Sequence, residues 1–168
     1  MPVVLRALGA DDALAYRSLR LRALTEHPEA FLASAEEEGL LSLAAWQDRL
    51  QATAAKCSLG AFQDEELLAM GTLVRGGRAK IAHVADIFAV YVAPSARREG
   101  LGRRLVSALV EQARLWHGVR KIKLTVNAEN AQALRLYEAL GFVAYGREPE
   151  AMSVNGRLYD ELLLQLSV

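Results

Sequence analysis

The sequence predicts an α/β fold: a mixed, mostly antiparallel sheet of about seven strands with helices on both faces. Three observations predict it. The first half carries three extended segments joined by very short turns, the pattern of an antiparallel meander. The second half alternates strand, helix, strand, helix, as a sheet with helical connections does. The 168 residues, 52% hydrophobic and 24% charged, suit one sizeable core, so the chain is read as a single domain spanning 1–168.

The elements follow in order. Val3–Ala7 is a short apolar strand. Asp11 and Asp12 open a helix, because carboxylates cap free N–H groups and suit the positive end of the dipole. Leu14, Leu21 and Leu24 give that helix an apolar face, and His27-Pro28 ends it. Ser42 caps a second helix through Trp46 and Leu50. Residues 26–41 between them read as irregular. Their acidic run Glu36-Glu37-Glu38 is read as solvated surface, with a substrate-covering loop as the alternative. Cys57–Gln63, Leu67–Arg75 and Lys80–Val92 are the strands of the meander, turned by Asp64-Glu65-Glu66 and Gly76-Gly77. A helix then runs from about Gly102 to Trp116, with Leu105, Val106, Leu109, Ala113 and Trp116 at helical spacing. Lys121–Val126 alternates polar and apolar as a strand does. Ala131–Leu140 is a helix ended by Gly141. Phe142–Arg147 and Leu158–Leu166 close the sheet around the turn Asn155-Gly156.

Bulk properties narrow the function. Twenty basic and 20 acidic residues give a net charge of zero, so no global field favours nucleic acid or an anionic membrane. A single cysteine, Cys57, allows no internal disulfide. His27, His83 and His117 lack ligand spacing, so no metal is expected. The first residues do not read as a signal peptide, and no apolar run approaches the roughly 18 residues of a membrane span. The expected compartment is the cytoplasm.

The segment Arg97-Arg98-Glu99-Gly100-Leu101-Gly102-Arg103 sits between a strand and a helix. N–H groups at a helix start are unpaired, and the dipole favours an anion there. Gly100 and Gly102 let the backbone approach phosphate oxygens, and the arginines add charge-assisted hydrogen bonds. A glycine turn capping a helix, with arginines exposed on its surface, is the plainer alternative. The spacing matches neither the dinucleotide fingerprint nor the ATP phosphate loop.

Arg97-x-x-Gly100-x-Gly102 after Val90-Tyr91-Val92-Ala93-Pro94 resembles the acyl-CoA-binding motif of the GNAT family of N-acetyltransferases. Leu124-Thr125-Val126-Asn127-Ala128-Glu129-Asn130 and Ala133–Phe142 are similar to that family's second half, as are Gly146-Arg147-Glu148 and Tyr159-Asp160-Glu161. The resemblance is strong from about 80 to 145 and rests on element order alone over the first 75 residues. It implies a sheet splayed between strands four and five, with acetyl-CoA in the V as co-substrate. It implies that pantetheine pairs with the main chain of Val90, Tyr91 and Val92 like an added strand. The pyrophosphate then rests on the loop Arg97, Arg98, Glu99, Gly100, Leu101, Gly102, Arg103. Asn130 is implied near the pantetheine, although an N-cap is its preferred reading and the two can hold together. Tyr137 is implied as the acid that protonates the leaving thiolate; a core tyrosine is its other reading.

The implied reaction is direct attack of an amine on the thioester, which needs a base because an ammonium has a pKa near ~10.4. Many members carry a Glu in the fifth strand; here Thr125 stands in its place. Asp86 is the preferred candidate base, ahead of His83 and Glu36–Glu38. The expected acceptor is a small-molecule or peptide amine. The alternatives are a protein N-terminal or lysine acetyltransferase and a non-catalytic acyl-CoA sensor. A nucleic-acid partner is not expected, since the arginine patch lacks interleaved aromatics. A homodimer is a family-level implication only.

Overall fold

The computed structural model describes residues 2–168. Seven strands form one sheet: β1 Val3–Ala7, β2 Lys56–Gln63, β3 Glu66–Arg75, β4 Val84–Val92, β5 Lys121–Asn127, β6 Val143–Val154 and β7 Arg157–Ser167. Their spatial order is β1-β2-β3-β4-β5-β7-β6. Every neighbouring pair is antiparallel except β4 and β5, which run parallel. Five helices accompany them: α1 Ala13–Glu26, α2 Ala35–Gly39, α3 Leu43–Leu50, α4 Leu101–Leu115 and α5 Ala131–Ala139. No described helix is long and apolar enough to cross a membrane.

Strand alternation sends successive side chains to opposite faces. Ile87, Ile122, Leu124 and Val126 meet Val106, Leu109 and Tyr137 from α4 and α5 on one face. Met70, Phe62 and Tyr91 meet Tyr16, Ala23, Trp46 and Leu50 from α1 and α3 on the other. The two helical layers therefore cover opposite faces, as the element order predicts. Gly71 allows the first layer to sit close: a Cβ there would lie 2.8 Å from Leu109 Cδ1.

Four readings of the first half change. Leu14 is 64% exposed, and the inward stripe of α1 is Ala13, Tyr16, Leu19, Arg20, Ala23 and Leu24. Arg20 obscures that stripe in sequence because a cation occupies a core-facing position. Residues 26–41 are not irregular throughout, since they hold a 3-10 turn at Pro28–Ala30 and helix α2. Ser34 and Glu37 start α2 with a capping box. Glu38 is buried and receives hydrogen bonds from Arg20 Nε (2.9 Å) and Nη2 (3.1 Å), with Arg49 Nη1 3.0 Å away. Burial alone would push the Glu38 carboxyl up, but the two guanidinium groups outweigh it and hold the carboxyl below its ordinary range. The third acid of the run is thus a core ion pair rather than solvated surface. Finally, β4 starts at Val84, because Ala79–Ile81 form a 3-10 turn.

The parting of β4 from β5 has a local cause. Their pairing covers Val84–Asp86 against Lys121–Lys123 and then ends. The β3–β4 register shifts where Ala89 and Val90 face Gly71, and Ala89 adopts φ 56°. A bulge bends the strand that carries it. Here the bend falls between the paired part of β4 and Val90–Val92.

Candidate functional site

The V between β4 and β5 opens into a cavity of about 710 Å³. Val90, Tyr91 and Val92 line one wall. The Val92 carbonyl accepts a hydrogen bond from Arg97 Nε at 2.9 Å, so one main-chain acceptor of this segment is already engaged.

The phosphate-loop residues line an adjoining wall: Arg97, Arg98, Gly100, Leu101, Gly102 and Arg103. Glu99 does not line it. Arg98 (φ 75°) and Gly100 (φ 71°) both adopt the left-handed conformation. This turns the chain into α4, with Gly100 as N-cap. The first helical bond runs from Arg104 N–H to the Gly100 carbonyl. The N–H groups of Leu101, Gly102 and Arg103 therefore precede the helical ladder. A Cβ at Gly100 would meet nothing within 4 Å. Open space, unladdered N–H groups and three cavity-lining arginines are what a pyrophosphate needs.

Asn130 and Tyr137 line the cavity from α5. Asn130 Oδ1 accepts the Ala133 N–H at 3.1 Å, so it caps the helix. Tyr137 is 7% exposed and packs edge-on against Phe142 with centroids 5.7 Å apart. Burial pushes its phenol up to about 12, so it stays protonated at neutral pH and is a hydrogen-bond donor.

Other wall residues were not singled out from sequence. The segment His27–Phe31 forms a strap on the α1 side, and four of its residues line the cavity: His27, Glu29, Ala30 and Phe31. Asn127, at the end of β5, donates from Nδ2 to the Glu29 carbonyl at 2.9 Å. His27 Nε2 lies 3.2 Å from Arg97 Nη2, and Tyr91 donates its hydroxyl to Glu26 at 2.7 Å. The strap is thus tied to both arms of the V. The one sequence signal for it was His27-Pro28 ending a helix. At the mouth, Arg157 pairs with Glu129 at 2.7 Å. Asp86 is not among the cavity walls: its side chain is 44% exposed and sits 3.6 Å from Lys123 Nζ. The structure therefore brings every proposed binding residue except Glu99 to one cavity, and leaves out the preferred base.

A parallel strand pair that parts over a helix N-terminus makes a cleft for a long phosphate-bearing ligand. Residues 17–142 match the model of the Acetyltransferase (GNAT) family. The chain belongs to that family. It is 32% identical to a mycothiol acetyltransferase of Brachybacterium faecium over 82% of this chain and 39% of that protein. It is 30% identical to an L-amino acid N-acetyltransferase of Escherichia coli over 68% of this chain and 70% of that one. The chain thus spans well under half of the mycothiol enzyme. An acetyltransferase of Salmonella typhimurium solved with acetyl-CoA superposes with a TM-score of 0.82 at 22% identity, covering 99% of this chain and 94% of that one. A GNAT-family acetyltransferase of Streptococcus pneumoniae gives 0.83 at 21% identity, covering 99% and 100%.

Proposed function

We propose that this chain transfers the acetyl group of acetyl-CoA to a primary amine of a small molecule or peptide. The observation that carries the reading is the parted β4–β5 pair, whose cleft joins a glycine-lined helix N-terminus to a buried, protonated tyrosine. Arg98, Arg103 and the first N–H groups of α4 hold the pyrophosphate. Val90 and Tyr91 offer main-chain groups to the pantetheine. Tyr137 donates its proton to the sulfur as the carbon–sulfur bond breaks. The amine approaches from the α1 side, where the strap and the β6–β7 hairpin form the wall.

The amino-acid acetyltransferase similar over 70% of its length supports an amino-acid-like acceptor. A thiol-release screen with acetyl-CoA against L-amino acids, L-methionine sulfone, spermidine and alanyl peptides tests the reading. Release with at least one free amino acid is expected. Release with peptides alone moves the chain to the protein-acetylating class. Binding of acetyl-CoA without release from any amine overturns the enzymatic reading and leaves a cofactor-binding module.

A further inference from the structure

The amine must lose a proton before it attacks, and the positions where sequence looks for a base all fail: His83 and Glu36–Glu38 do not line the cavity. Thr125 has no carboxylate, and Asp86 is paired with Lys123 outside the cavity. Another carboxylate, Glu161 on β7, is held in an unusual setting. Register pairs Asn127 with Glu161 and Thr125 with Leu163. Glu161 therefore lies on the same face of the sheet as Thr125, at the diagonal position on the adjoining strand, within reach of a long side chain. Glu161 is not itself among the residues lining the cavity, but its β5 partner Asn127 and its β7 neighbour on that face, Tyr159, both line it, so the carboxylate lies directly behind that wall.

Glu161 is 8% exposed, and no hydrogen bond or ion pair to its carboxylate occurs among the described residues. The other ionised core side chains, Arg20 and Glu38, have each other. The strap residues Pro28–Ala30 pack against β5 and β6, and β7 lies between these strands. The strap therefore crosses this end of the sheet, and its Glu29 and Ala30 also wall the cavity. Across β6 the register partner of Glu161 is Glu148, a second carboxylate. A buried carboxylate without a partner, facing a like charge, is costly. A cation arriving from the cavity relieves that cost.

We propose that Glu161 receives the acceptor ammonium and takes its proton, directly or through one water; this rests on the acetyl-transfer reading above. The step balances. The ammonium N–H bond breaks and the proton passes to the Glu161 carboxylate. The freed nitrogen lone pair bonds to the thioester carbon. The carbon–sulfur bond then breaks as Tyr137 gives its proton to sulfur, and the tyrosinate recovers the second nitrogen proton. Glu161 returns its proton to solvent. Burial, then the Glu148 charge, both push the Glu161 carboxyl above its ordinary range. That shift is toward the operating pH, where a base is most effective. The other ionisable groups near it are Glu148 on β6, His27 and Glu29 on the strap, and Tyr159 on its own strand.

The test combines kinetics and titration. In Glu161→Gln, kcat/KM for L-methionine sulfone, or for the best amine of the screen, should fall about 10²-fold at neutral pH. The fall should shrink in alkali, and the acid limb of the pH–rate profile should vanish. The thermal shift given by acetyl-CoA should persist. In Glu148→Gln the acid limb should survive and move to lower pH, because a charge that raises Glu161 has gone. Carboxyl-carbon NMR of the free protein should show the same downward move in the Glu161 titration. A Glu161→Gln enzyme with wild-type rate and an intact acid limb overturns the assignment, and loss of that limb in Asp86→Asn instead would place the base there. A wild-type protein that acetylates none of the amines overturns the acetyl-transfer reading and this one with it.

Discussion

At the scale of single residues, the chemistry depends on side chains held in costly settings. Burial keeps Tyr137, the proposed proton donor, from ionising. Tyr137→Phe keeps the ring and its edge contact with Phe142, so the fold should persist. Turnover should fall toward the low end of the ~10²–10⁴-fold range of general acid catalysis, since thiolates leave readily. Steady-state kinetics beside a thermal melt would separate the two effects, and undiminished turnover would return Tyr137 to a packing role. Gly100→Val places a β-branched residue at φ 71° and in the space above the loop. Acetyl-CoA affinity should drop by more than tenfold, over about 1.4 kcal/mol, as read by calorimetry on the folded variant. Glu38 makes a stability prediction of definite sign. Its folded carboxyl lies below its unfolded value, so its contribution is complete above the unfolded value of about 4.3 and is lost as pH falls toward the folded one. Urea denaturation from pH 6 to pH 3 should show this loss in the wild type and not in Glu38→Gln. Glu38→Ala, which strands Arg20, should cost roughly 3–5 kcal/mol at neutral pH.

At the scale of elements, the bulge in β4 sets the geometry of the cleft, and its strain is measurable. An L-residue in the left-handed region costs about 1–2 kcal/mol, and glycine avoids that at a smaller entropic cost. Ala89→Gly should therefore be neutral or stabilising by about 0.5 kcal/mol in chemical denaturation, whereas Ala89→Val should destabilise; the reverse order would remove the bulge as a strained hinge. The same bulge shows where sequence reading stopped. The strands, α4, α5 and the Asn155-Gly156 turn were legible because periodicity and turn chemistry are local. Arg97–Arg103 was legible because glycines and arginines stood together at a strand–helix junction. Ala89 carries no such mark, since alanine does not announce a positive φ. The strap was illegible for another reason: His27 and Glu29 gain meaning only through Arg97 and Asn127, 70 and 98 residues away along the chain. The Arg20–Glu38–Arg49 network was hidden likewise, because an isolated acidic run and a helix arginine each look solvent-facing until their elements meet.

At the scale of the whole molecule, two helical layers grip a sheet that is incomplete in its middle. A ligand that binds only the folded state adds about 2.7 kcal/mol at 100 times its dissociation constant. Saturating acetyl-CoA should therefore raise the melting temperature, and no shift at millimolar concentration would dismiss the cleft as its site. The parted strands also make a statement about time. Beyond Asp86 and Lys123, β4 and β5 present inner edges to each other without a ladder between them. Amides on those edges have no partner to break before they exchange with deuterium, while their neighbours facing β3 and β7 wait for the sheet to open. Within Val90–Val92 the deuterium clock should thus run at two speeds in adjacent residues. A bound pantetheine should bring the fast amides into step with the slow ones.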